Sequence, residues 1–133
     1  KKKVKEMGLE GNIIFTGAVT ETEKKITLLS QGKVFILPSY EENWAISIGE
    51  AMAAGLPVVC YQLKELQEVW QEAIITCPLG KVDALTSQVL SLLENPVKRQ
   101  KMSQKCQDYV LKYAWKTIAP QELSYILKAE GQR

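Results

Sequence analysis

KVFILPSYEENWAISIGEAMAAGLPVVC, residues 33–60, is the stretch on which the fold turns. Val34-Phe35-Ile36-Leu37 is an unbroken apolar run, with the length and composition of a strand buried on both faces. Pro38 ends it. A polar loop, Ser39 to Trp44, leads into a small-residue helix expected from Ile48 to Ala54. Gly55 stands where a helix takes a left-handed C′ residue, and Pro57 keeps the helix from continuing. Val58-Val59-Cys60 reads as a second short buried strand. Strand, loop, helix, strand is a right-handed crossover between parallel strands, so the stretch predicts an α/β fold with a parallel sheet flanked by helices. Ligands of open parallel sheets bind beyond the carboxyl ends of the strands, which is where the loop 38–44 falls.

That loop holds Glu41 and Glu42, and Glu50 follows on the first helical turn, with seven residues between Glu42 and Glu50. A helix N-terminus attracts anions, so acids beside it suit sugar hydroxyls and leave phosphates to the backbone N–H groups. The same residues have a purely structural reading. Ser47-Ile48-Gly49-Glu50 fits a capping box, with Ser47 as N-cap and Glu50 reaching back, and Glu42 fits a solvated loop acid. Spacing alone leaves both readings open.

Residues 38–59, PSYEENWAISIGEAMAAGLPVV, resemble the signature of the group 1 (family 4) retaining glycosyltransferases: a Pro-Ser strand end, Glu-x7-Glu, then Glu-Ala-Met-Ala-x-Gly-x-Pro-Val-Val. Ile14-Phe15-Thr16-Gly17 and Trp115 also fall where that family places similar residues, and the likeness extends from about Leu9 to Ala119. The resemblance implies a Rossmann-like sheet, the C-terminal, donor-binding half of a GT-B fold. It implies an enzyme that moves a sugar from a nucleotide-sugar donor, such as a UDP- or GDP-sugar, to an acceptor hydroxyl with retention and without metal or other cofactor. By resemblance Glu42 meets the transferred sugar as the catalytic residue, and Glu50 binds the ribose hydroxyls. Main-chain groups of Asn43, Trp44, Ala45 and Ile46 face the sugar and diphosphate, and the turn at Gly17 and Val19 lies near the base. Two departures stand out: Asn43 and Ala45 replace glycines that flank the aromatic position, and Gln62, Lys64 and Glu65 replace an Asp or Asn and a Gly-Gly pair.

Composition reads as ordinary soluble globular material. The 133 residues suit one domain, 46% are hydrophobic and 24% charged, and a net charge of +2 does not suggest nucleic acid as a partner. No apolar run approaches the ~20 residues that span a bilayer. The expected location is cytoplasmic, with peripheral contact at the inner face of a membrane compatible with the sequence. Cys60, Cys77 and Cys106 lack any Cys-x-x-Cys spacing and read as free thiols. Histidine is absent, which excludes His-based zinc sites and Ser-His triads. With only Asp83 and Asp108, no Asp-x-Asp metal motif exists, and neither a P-loop nor a Gly-x-Gly-x-x-Gly turn is present.

Along the rest of the chain, Lys1 to Gly8 reads as the last turns of a helix, with lysines suited to its C-terminal end. Ile13-Ile14-Phe15 is expected as the first strand. Thr20-Glu21-Thr22-Glu23 reads as a second capping box, opening a helix that buries Ile26, Leu28 and Leu29. A short helix from Glu65 to Trp70, a strand from Ala73 to Cys77, and a helix carrying Leu85, Val89, Leu92 and Leu93 follow. The next helix is expected from Val97 to Tyr113, with Met102, Cys106, Tyr109 and Val110 as its apolar stripe. The last begins near Trp115, contains or starts at Pro120, buries Leu123, Ile126 and Leu127, and frays from Glu130 to Arg133.

In the family this domain begins with a β-α-β unit that ends in a helix like Lys1 to Gly8 and carries an Arg and a Lys for the diphosphate, and neither of those two residues is represented in residues 1–133. The expectation is a single, N-terminally incomplete domain whose partner, the acceptor domain, is absent, and which is inactive alone. The competing expectation is a non-catalytic nucleotide-sugar-binding or scaffold module on the same fold, since a fold can outlive its chemistry.

Overall fold

The computed structural model describes residues 1–130. Its elements run α1 (Lys2–Glu6), α2 (Thr22–Ser30), β1 (Phe35–Leu37), α3 (Ile46–Ala53), β2 (Val58–Tyr61), α4 (Lys64–Trp70), β3 (Ile75–Cys77), α5 (Val82–Glu94), α6 (Pro96–Val110) and α7 (Trp115–Glu130). Short 3₁₀ turns follow α4 and α6. The strands form one parallel sheet in the order β1-β2-β3, with Phe35 opposite Val58 and Val59 opposite Ile75. This is the α/β parallel sheet with flanking helices that residues 33–60 predict.

β2 explains why its sequence is apolar throughout. It is the central strand, and all four residues are buried. Val58 and Cys60 join one core with Ile48, Met52, Leu66, Trp70 and Cys106, whereas Val59 and Tyr61 join the other with Cys77, Leu85 and Leu92. Gly55 takes φ +82, the left-handed C′ geometry expected at the end of α3.

α6 lies along the first core and reaches across to the ends of its neighbours. Ser103 Oγ donates to the carbonyl of Gly55 at 2.6 Å, Cys106 Sγ to that of Ala73 at 3.2 Å, and Tyr109 Oη to that of Val69 at 2.7 Å. These carbonyls sit where α3 and α4 have run out of intrahelical donors. Asn95 caps α6 by accepting from the Lys98 N–H, and Pro96 takes the first helical position.

Several local expectations are overturned. Ile13-Ile14-Phe15 pairs with no strand among the described residues, and Ile14 is 88% exposed; an extended apolar run without a neighbour cannot complete a ladder. Neither capping box forms. α2 starts at Thr22 with Glu21 at the cap position, and α3 starts at Ile46 with Ala45 there, neither with a side-chain cap bond. α2 also turns a different face inward. Ile26 and Leu28 are 54% and 45% exposed, whereas Leu29 packs against the core as expected and Lys25 faces the protein beside it. Leu93 is exposed on α5, while Leu85, Val89 and Leu92 pack as expected. Pro120 lies inside α7, whose Leu123, Ile126 and Leu127 are all more than half exposed because no described element covers them. Of the expected frayed end, Glu130 closes α7 and Gly131, Gln132 and Arg133 lie outside the described residues. No helix among the described residues is long and apolar enough to cross a membrane.

Candidate functional site

The site is built where β1 stops at Leu37 and the chain turns over the sheet's carboxyl edge into α3. Pro38 ends the strand, and Tyr40 leans its ring on Tyr61 at 5.5 Å, edge to face. Glu41 is exposed and Glu42 half-buried, and neither carboxylate has a hydrogen-bond or ion-pair partner among the described residues.

Trp44 fixes the loop from behind. Its ring centroid is 5.0 Å from that of Trp70 and 5.0 Å from that of Tyr113, and its carbonyl accepts from Trp70 Nε1 at 3.0 Å. Trp70 is fully buried, so the loop hangs on a rigid ring. Gly49 makes this approach feasible: a Cβ there would lie 2.9 Å from Trp70 Cη2. Ala45, wedged between, adopts φ 50 and ψ 66, the left-handed conformation in which the family pattern has glycine. A non-glycine residue in that region carries about 1–2 kcal/mol of strain, and the turn is kept despite the substitution.

The consequence is a run of unpaired donors. The N–H groups of Asn43, Trp44, Ala45, Ile46 and Ser47 find no backbone acceptor among the described residues, and the first inward bond of α3 is Ile48 N–H to the carbonyl of Ala45. They sit at the positive end of the α3 dipole. In sequence a carboxylate stands on each side of the run, Glu42 before it and Glu50 after.

Glu50 does not reach back to cap α3. Its carboxylate pairs with Lys25 Nζ of α2, with side chains 35% and 34% exposed. Glu50 lines two adjoining cavities. One, of about 350 Å³, is walled by Trp44, Ile46, Gly49, Ala53, Trp70 and Tyr113 among others. The other, of about 200 Å³, is walled by Thr22, Lys25, Ile26, Leu29 and Ala53. Glu42, Asn43 and Ala45 line neither; of the expected donor-facing residues, the first cavity brings Trp44 and Ile46 together with Glu50. Gly17 takes φ +68 in an open turn and Val19 is half-buried; neither lines either cavity. Lys25, Trp70 and Tyr113 are absent from the residues that the sequence singles out. A glycine inside an otherwise small-residue helix was the one signal of Trp70's approach; nothing in the sequence marks Lys25.

All three thiols are buried and free. Burial, with Cys77 close by, pushes the Cys60 thiol up to about 12, and burial pushes Cys106 up to about 11. Thiols held protonated in this way are inert core residues.

The chain matches the family described as glycosyl transferases group 1 over residues 1–109. It is 32% identical over 117 residues to a phosphatidyl-myo-inositol mannosyltransferase of Mycobacterium leprae, a match that covers 86% of this chain and 31% of that protein. Its fold superposes on a sucrose-phosphate synthase of Thermosynechococcus elongatus with TM-score 0.86 and 24% identity, covering 99% of this chain and 34% of that one. It also superposes on the C-terminal domain of a group 1 family glycosyl transferase from Francisella tularensis, with TM-score 0.74 and 22% identity, covering 86% and 60%. The chain thus spans about a third of the length of the first two. The Glu-x7-Glu loop, the parallel sheet beneath it and the match over 109 residues make this chain a member of the group 1 glycosyl transferases, with the fold of their GT-B C-terminal domain.

Proposed function

We propose that this chain is the donor-binding part of a retaining, metal-independent hexosyltransferase that acts from a nucleotide sugar on an acceptor hydroxyl. The observation that carries the reading is the row of unpaired N–H groups from Asn43 to Ser47, lying between Glu42 and Glu50 at the start of α3. Donors of that kind suit a diphosphate, and carboxylates suit hydroxyls. Glu42 serves the transferred sugar, Glu50 the ribose, and the turn at Gly17 and Val19 the base. In the reaction the bond from the anomeric carbon to phosphate breaks, the bond to the acceptor oxygen forms, and the acceptor's proton leaves with the diphosphate. The protein's share is positioning and stabilisation of the charge that develops on sugar and diphosphate. The acceptor-binding part belongs to sequence outside these residues, and a cytoplasmic location suits a nucleotide-sugar substrate.

A second reading is a nucleotide-sugar-binding module without turnover. Lys64 and Glu65 favour it, because the first turn of α4 carries bulky charged residues where glycines would let a ligand approach the backbone. One experiment separates the two. Transfer from a panel of UDP- and GDP-sugars is measured for the full-length protein and for Glu42→Gln and Glu50→Gln, with thermal melts for each. Turnover that both variants lose while melting normally supports the enzyme. Donor binding without turnover in the wild type rejects it for the module.

A further inference from the structure

α2 presents an odd choice of inward residue. It leaves Ile26 and Leu28 largely in solvent and turns Lys25 towards α3, although burying the isoleucine would remove more apolar surface from water. The lysine meets one partner, Glu50, and no other carboxylate among the described residues pairs with it. A half-exposed ion pair of this kind adds little stability. Its effect on geometry is larger. Glu50 sits on the outward face of α3 between the two cavities, and Lys25 takes its Oε1, leaving Oε2 as the acceptor that remains.

We infer that Lys25 is a positioning residue that fixes the Glu50 carboxylate for the vicinal hydroxyls of the donor's ribose. The inference rests on the reading that Glu50 meets those hydroxyls. A carboxylate on a glutamate side chain has several rotamers, and holding one of them beforehand removes an ordering cost from ligand binding. Lys25 itself touches no part of the ligand in this arrangement, which distinguishes it from a phosphate-binding lysine.

The test measures binding of UDP, GDP and ADP, each beside its 2′,3′-dideoxy counterpart, by calorimetry on the full-length protein. Wild type is compared with Glu50→Gln, Lys25→Met and Lys25→Arg. Methionine keeps the apolar stem of the lysine, and the packing of α2 with it, while losing the charge. The expected result is a nucleotide that wild type binds better than its dideoxy form by about tenfold, a preference lost in Glu50→Gln and Lys25→Met and kept in Lys25→Arg. If Lys25→Met keeps the preference, or weakens both nucleotide forms alike, the positioning role is wrong and the Glu50 assignment survives. If wild type shows no preference, or Glu50→Gln retains it, the Glu50 reading itself falls and the role of Lys25 with it.

Discussion

Replacing Gly49 with alanine tests whether the aromatic anchor behind the loop is as rigid as its contacts require. The added Cβ would stand 2.9 Å from Trp70 Cη2, closer than carbon atoms approach without displacement. The ring cannot swing away freely. It is fully buried, its Nε1 is bound to the Trp44 carbonyl at 3.0 Å, and its faces meet Trp44 and Tyr113 at 5.0 and 5.3 Å. Overpacking a site of this kind costs about 1–3 kcal/mol. Against that stands about 0.5–1 kcal/mol gained when alanine replaces glycine inside a helix. The net loss is roughly 1–2 kcal/mol, and for a domain of this size a fall in Tm of about 4–8 °C. Differential scanning calorimetry measures it, and a cycle with Trp70→Phe isolates the cause. Because phenylalanine shortens the ring, the double variant should be less destabilised than the sum of the two single changes by about 1 kcal/mol. A Gly49→Ala protein that melts at or above wild type would refute the clash and the rigid anchor together.

Two further outcomes follow from the same structure. Ala45→Val puts a β-branched residue at φ 50, and should lower stability by roughly 1–3 kcal/mol in urea unfolding and weaken binding of nucleoside diphosphates at the adjoining N–H groups. The buried thiols set an alkaline limit. Unfolded cysteines ionise near 9.0, whereas folded Cys106 and Cys60 hold their protons to about 11 and about 12, so the folded state binds the excess protons and their contribution is complete below pH 9 and lost above it. Unfolding free energies from urea titrations between pH 8 and 10.5 should fall with a slope that reaches roughly 2.3 kcal/mol per pH unit from these two groups, and Cys60→Val with Cys106→Ala should flatten it.

What was readable in the sequence depended on how local the determining physics is. Val58 to Tyr61 must be a central strand because an unbroken apolar run has no exposed face to give, and Gly55 with Pro57 dictates where α3 stops. Helix starts were harder. Ser47 and Glu50 carry the right letters for a capping box, yet the loop enters α3 two residues earlier because Trp44 is drawn onto Trp70, and that contact spans 26 residues of sequence. The inward face of α2 departs from its periodicity for a similar reason: periodicity favours Ile26 inward, and a carboxylate 25 residues away favours Lys25. Ile13-Ile14-Phe15 has strand composition, but a strand is a property of a pair. Glu42 and Glu50 were found by a motif, and no pattern of local residues discloses that one is free while the other is held.

The three bonds that α6 makes to Gly55, Val69 and Ala73 land just past α3, at the end of α4 and on the turn that follows it, and Tyr113 just beyond α6 meets both Val69 and Trp44. α6 therefore works as a keel. It ties the ends of both helices to one element, and through Trp70, which donates to the Trp44 carbonyl, the same frame carries the loop. The side chains of Asn43, Ala45, Lys64 and Glu65 make none of these bonds, so substitutions there leave the hydrogen bonds of the frame intact.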